Sequence, residues 1–93
     1  MLKTSNLDVK KMTIGQMANL NHISEQTLRL YDREGLLSPL YRDEKTGYRY
    51  YDIRQSAQLD TIQYMKVLGM SLKEIKVHMA EWDMGKIKQL LRE

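Results

Sequence analysis

Between Thr13 and Glu74 the chain is cut into short helical runs by start and stop signals that leave no room for a long helix. A Ser, Thr or Asp ahead of a helical run accepts a hydrogen bond from the unpaired N–H groups of the first turn, and a Gln or Glu three residues later returns one. Thr13 with Gln16, Asp52 with Gln55 and Ser71 with Glu74 fit that reciprocal pattern, and Ser24 fits the single cap. Gly35 and Gly69 stand where helices stop. Four helices are therefore expected: "IGQMANL" from Ile14, "EQTLRLYDR" from Glu25, a third from Asp52 to about Leu68, and "LKEIKVHMAEW" from Leu72. Helices this short are marginal alone, so each must turn an apolar face to its neighbours. Helical spacing puts Ile14, Met17 and Ala18 on one such face, Leu28 and Tyr31 on a second, and Leu72, Ile75, Met79 and Trp82 on a third. Met65 and Met70 read as further packing residues.

Pro39 forbids a helix in "LLSPLYRDEKTGYRYY". Leu40–Arg42 and Tyr48–Tyr51 favour extended chain, and Asp43–Gly47 supplies turn chemistry. This predicts a two-stranded hairpin with a five-residue loop, which must lean on the helices because an isolated hairpin is marginal in water. Alternation along the strand places Arg49 and Tyr51 on one face and Tyr48 and Tyr50 on the other. The order of elements is that of a mainly α winged helix-turn-helix domain: four short helices, a two-stranded wing, and the start of a fifth helix in "KIKQLLRE". Residues 1–11 read as a flexible arm and 12–82 as the domain, with its helix-turn-helix at about 14–33 and its wing at about 39–51. Residues 83–93 read as a linker and the cut start of a longer helix, whose apolar Ile87, Leu90 and Leu91 would serve dimerisation.

The totals narrow the function classes. Ninety-three residues make one domain with a thin core. Net charge +3 permits an anionic partner without demanding one. With no Cys there is neither disulfide nor thiolate metal site within the chain, which fits a cytosolic protein better than a small secreted one. The apolar runs fall short of the roughly 18 residues of a membrane span. No signal-peptide stretch opens the sequence. His22 and His78 are far apart and lack acidic companions at ligand spacing. No glycine-rich phosphate loop and no Ser–His–Asp arrangement is present, so neither an enzyme nor a cofactor site is expected.

What remains is a basic, hydrogen-bonding surface. On a helical wheel Gln26, Arg29, Leu30 and Arg33 fall opposite Leu28 and Tyr31. Arg pairs with guanine edges or phosphate, Gln with adenine, and an apolar residue with the thymine methyl. The helix starts at Thr13 and Ser24 aim backbone N–H groups outward, a disposition suited to phosphates. A wing carrying Arg42, Lys45 and Arg49 beside the phenol of Tyr48 suits a phosphate backbone. The alternative for each is bland: solvated charge on the helix, and a small satellite cluster of tyrosines under the loop. For Tyr51 and one of Tyr48 or Tyr50 that packing role is the expectation.

Four segments in order, "TIGQMANL", "SEQTLRLYDREGLL", "TGYRYYD" and "LGMSLKEI", resemble the DNA-binding domain of the MerR family of bacterial transcription regulators. The resemblance covers roughly residues 12–82. It implies a homodimer on pseudo-palindromic, double-stranded promoter DNA, distorted so that RNA polymerase can use a poorly spaced promoter. It also implies an effector-responsive segment and a long dimerisation helix beyond the domain. Carried onto this chain, it makes Arg29, Tyr31 and Arg49 DNA contacts, with the Tyr31 ring packed and its hydroxyl reaching a phosphate. Leu30 departs from the family pattern, which often has an aromatic residue there. The metal-sensing members' Cys has no counterpart at Asp83–Gly85. Two other readings stay open: a stand-alone excisionase-like architectural protein, and a protein-interaction module in which Arg29, Arg33 and Arg49 are scattered or paired with carboxylates.

Overall fold

The computed structural model describes residues 11–81. A short strand, β1 (Met12–Thr13), leads into α1 (Ile14–Asn21) and α2 (Glu25–Arg33). The hairpin strands β2 (Tyr41–Arg42) and β3 (Arg49–Tyr51) follow, then a single 3-10 turn (Ile53–Gln55), α3 (Ser56–Val67) and α4 (72–81).

The expected caps form. The Thr13 hydroxyl accepts from the Gln16 N–H at 3.1 Å, and the Gln16 side chain accepts from the Thr13 N–H at 2.9 Å. Ser24 Oγ accepts from the Thr27 N–H at 3.0 Å. Ser71 and Glu74 exchange the same pair of bonds, and the N–H donated to Glu74 holds its carboxyl below the usual carboxylate range. At Asp52 the outcome differs in one respect. Asp52 and Gln55 close their reciprocal cap, but Asp52 Oδ1 also takes the Arg54 N–H at 2.8 Å, and the first turn winds tightly as 3-10. The α-helix proper begins at Ser56. Gly35 has φ +78°, where a Cβ would be strained. The turn it makes returns the Leu36 N–H to the Tyr31 carbonyl at 2.8 Å and folds Leu36 and Leu37 into the core.

The sheet departs from the sequence reading. It has three strands in the order β1-β3-β2, all antiparallel, with Met12 opposite Tyr51 and Thr13 opposite Tyr50. A two-residue strand has no periodicity of its own; it exists because β3 offers it a hydrogen-bonding edge. Pairing also roots the wing beside the start of α1.

The core lies where these elements converge. Met17 and Ala18 of α1, Leu28 and Tyr31 of α2, Tyr51 of β3, Leu59, Ile62 and Met65 of α3, and Ile75 and Met79 of α4 are buried together, with Ile14, Met70 and Leu72 half-buried at the margin. These are the faces that helical spacing picked out, with α3 added. Asn21 ties α1 to α3 through a 3.2 Å bond to Ser56 Oγ. Trp82, Ile87, Leu90 and Leu91 lie outside the described residues, as do the arm through residue 10 and the linker.

Tyr51 is fully buried with its hydroxyl unpartnered among the described residues. Burial pushes this phenol up to about 12, and the Asp32 carboxylate adds to the effect. An unfolded tyrosine ionises near 10, so the stability at stake is intact below that pH and is lost as pH rises from about 10 to 12. Tyr51→Phe removes an unsatisfied buried hydroxyl and is expected to stabilise the domain by about 1 kcal/mol at neutral pH. Urea midpoints at pH 7 and pH 11 check both points: the variant's advantage widens at the higher pH.

Candidate nucleic-acid interface

Helix α2 sits with Leu28 and Tyr31 in the core, which turns Gln26, Arg29 and Arg33 to solvent. Leu30 was expected among them. It is instead half-buried, packed against the core margin while still bordering the outward face. The α2 body, about 10–12 Å across with side chains, has the calibre of a B-DNA major groove, about 12 Å wide.

Beside it stands the wing. Its tip is a turn in which Asp43 Oδ1 accepts from the Lys45 and Thr46 N–H groups at 2.8 and 3.0 Å, and these bonds hold the Asp43 carboxyl below its usual range. Gly47 closes the turn at φ +76°. Strand alternation then decides which residues face α2. Arg42 and Arg49, directly opposite each other on β2 and β3, both reach back to Asp32 of α2. Tyr41 and Tyr50 pack as a tilted pair, ring centroids 5.9 Å apart, under the Lys11 ammonium. Tyr48 is exposed.

Two depressions run together across this side of the molecule. One, of about 260 Å³, is lined by Thr13, Ile14, Arg29, Gly47, Tyr48 and Arg49. The other, of about 460 Å³, is lined by Ser24, Gln26, Thr27, Arg29, Leu30 and Arg33. Arg29 belongs to both, so the two capped helix starts, the outward face of α2 and the wing form one continuous surface. Arg42 and Lys45 line a third depression, of about 350 Å³, along the wing edge.

Of the residues expected to form the site, Thr13, Ser24, Gln26, Arg29, Arg33, Tyr48 and Arg49 are thus brought together, with Arg42 beside them. Tyr31 is the correction. Its ring packs as expected, under the Lys66 ammonium, but it is fully buried and its hydroxyl donates to Gln63 Oε1 at 3.2 Å. The side chain presents no atom to the surface, because α3 lies directly over it. The pairing of charges answers both expectations for the arginines at once. They share one face, yet Arg29 pairs with Glu25 at 3.1 Å and Arg49 with Asp32 at 2.9 Å; Arg33 has no carboxylate partner among the described residues. The Arg29–Glu25 pair is exposed, and such pairs contribute about 0–1 kcal/mol, so a phosphate can replace the Glu25 carboxylate at small cost; the Asp32 carboxylate is largely enclosed. Sequence reasoning passed over Asp32. Its role depends on partners 10 and 17 residues away across the turn, a distance at which no local pattern reports.

Among the described residues, no group of three or more His, Cys, Asp or Glu could hold a metal ion, and no helix is long and apolar enough to cross a membrane.

Two short capped helices meeting at a tight turn, the second flanked by a β-wing, define a winged helix-turn-helix domain. The family described as MerR HTH family regulatory protein matches residues 12–82, and the chain belongs to it. It is 41% identical over 87 residues to the multidrug-efflux transporter 2 regulator of Bacillus subtilis, covering 92% of this chain and 32% of that one. It is 38% identical over 65 residues to the mercuric resistance operon regulatory protein of Bacillus cereus, covering 70% and 48%. Among solved structures it resembles HiNmlR, a MerR family regulator lacking the sensor domain and bound to promoter DNA, with a TM-score of 0.70, 39% identity, and coverage of 81% of this chain and 56% of that one. It also resembles EcmrR in its DNA complex, with a TM-score of 0.68, 27% identity, and coverage of 86% and 33%. The chain spans about a third to about half the length of the two relatives it matches.

Proposed function

We propose that this chain is the DNA-binding unit of a transcription regulator that docks as a homodimer on a pseudo-palindromic promoter operator. Helix α2 enters the major groove, where Gln26, Arg29 and Arg33 meet base edges and phosphates. The capped starts at Thr13 and Ser24 and the wing residues Arg42, Tyr48 and Arg49 clamp the backbone. The continuity of the two depressions through Arg29 carries this reading, since it supplies base-reading and phosphate-holding groups on one side of one molecule. The similar structures bound to DNA support it. RNA polymerase is reached through the promoter, not through a site on this domain. Dimerisation is assigned to Ile87, Leu90 and Leu91, and effector response to the further length that the relatives possess. The activity is binding, not catalysis, and its setting is the bacterial cytoplasm.

Fluorescence anisotropy with two labelled duplexes at two salt concentrations tests the proposal. One duplex carries the region upstream of the protein's own gene, and the other a scrambled sequence of equal composition. Tighter, salt-sensitive binding to the first is expected. Equal, salt-sensitive binding to both favours the architectural alternative. No binding at low salt overturns the DNA assignment and leaves the protein-interaction module, which the carboxylate pairing of Arg29, Arg42 and Arg49 would then support.

A further inference from the structure

We propose that Asp32 is a positioning residue that orients the wing arginines toward DNA; this rests on the DNA reading above. A single oxygen, Asp32 Oδ2, accepts from Arg42 Nη2 at 2.6 Å and from Arg49 Nε at 2.9 Å. Arg42 and Arg49 are cross-strand neighbours, so one carboxylate on α2 grips both strands of the wing and sets their distance from the recognition helix. The Asp32 side chain is 12% exposed and that of Arg49 28%, whereas Arg42 is half in solvent. The anchor is thus inside and the cations point out.

The atoms used matter. Arg49 spends its Nε on Asp32, which leaves the four N–H donors of its two Nη groups available to another acceptor. Arg49 lines the depression shared with Arg29 and Tyr48. A guanidinium fixed through Nε cannot sweep its cone of rotamers, so a phosphate meets a fork already aimed. Tyr51, two residues on along the same strand face, is buried, so that face of β3 passes from Arg49 into the core. One carboxylate against two guanidiniums still leaves one unit of positive charge for the nucleic acid (two minus one). A simple stabilising ion pair would be satisfied by one arginine and would not require the Nε geometry.

Asp32→Asn separates positioning from plain electrostatics by sign. Removing a negative charge beside a DNA-binding face strengthens binding if charge alone acts. If Asp32 positions the arginines, binding weakens. The expected result, for the 93-residue chain on either duplex, is about a ten-fold loss of affinity and a salt slope smaller by about one. Arg49→Lys keeps the charge but has one nitrogen where two are needed, and is expected to lose affinity as Arg49→Ala does. In an Arg42→Ala/Arg49→Ala background, Asp32→Asn should cause no further loss. Circular dichroism and a melting curve establish that each variant is folded at the assay temperature. Folded Asp32→Asn binding as tightly as the parent, or tighter, overturns the proposal while the DNA reading stands. Should Asp32→Asn not fold, wild-type affinity of Arg49→Lys overturns it. A parent chain that binds neither duplex removes the DNA reading and this proposal with it.

Discussion

Leu28→Ala lowers the urea midpoint of the domain sharply, with a loss of about 2–5 kcal/mol for a fully buried leucine truncated to alanine. Leu28 is 0% exposed and sits at the centre of the inward face of α2, between α1 and Tyr31. Two terms add: the transfer energy of the deleted methyls and the cavity they leave. Neighbouring side chains cannot collapse into that cavity, because the surrounding elements are held by their own caps and by the wing. A domain of this size has a total stability of about 5–15 kcal/mol, and a thin core puts it at the low end. The variant therefore holds a substantial unfolded population at 37 °C. DNA-binding competence falls with it, and saturating duplex partly restores the melting temperature by mass action. An unchanged midpoint at unchanged m-value would show that α2 does not depend on this leucine.

Arg49→Ala weakens binding to the promoter duplex and to the scrambled duplex by about the same factor. It also reduces the salt slope by roughly one unit, as expected when a single phosphate is no longer neutralised. Arg49 is placed to do this because strand alternation turns it toward α2, where it bonds Asp32 through Nε and lines the depression under the wing. Changes at Gln26 or Arg29 act differently. On the proposed reading each is expected to remove hydrogen bonds to a base edge and to shift preference among sequences by about 1–3 kcal/mol per base, with less effect on the slope. Anisotropy titrations at four salt concentrations for the parent, Arg49→Ala and Gln26→Ala resolve the two patterns. A slope for Arg49→Ala equal to the parent's would show that the wing does not touch the backbone.

The contrast between Arg49 and Tyr31 explains how far the sequence could be read. Both were expected at the interface. For Arg49 the argument was local: alternation on a strand and a turn rich in Asp and Gly. For Tyr31 the wheel correctly put the ring inside, but the destination of its hydroxyl depended on Gln63, 32 residues away on α3. A long-range partner outcompetes a surface role whenever packing brings it within hydrogen-bonding distance. Leu30 makes the same point more mildly, since a wheel divides a helix into two sides while the tertiary neighbours decide where the boundary falls.

By itself the sequence determined the starts of α1, α2 and α4 and the stops at Gly35 and Gly69, because capping bonds join residues close in the chain and their chemistry is written in nearby positions: Thr13 with Gln16, Ser24 with Thr27, and Ser71 with Glu74. It determined the inward faces of α1, α2 and α4 too, since apolar spacing follows the 3.6-residue turn. The tertiary structure alone decided three features. The strand Met12–Thr13 exists because β3 had a free edge; Tyr31 is withdrawn because α3 covers it; and Asp32 joins the recognition helix to both strands of the wing. Each is a contact between distant residues whose own identities are compatible with many partners, and only the packed chain selects one.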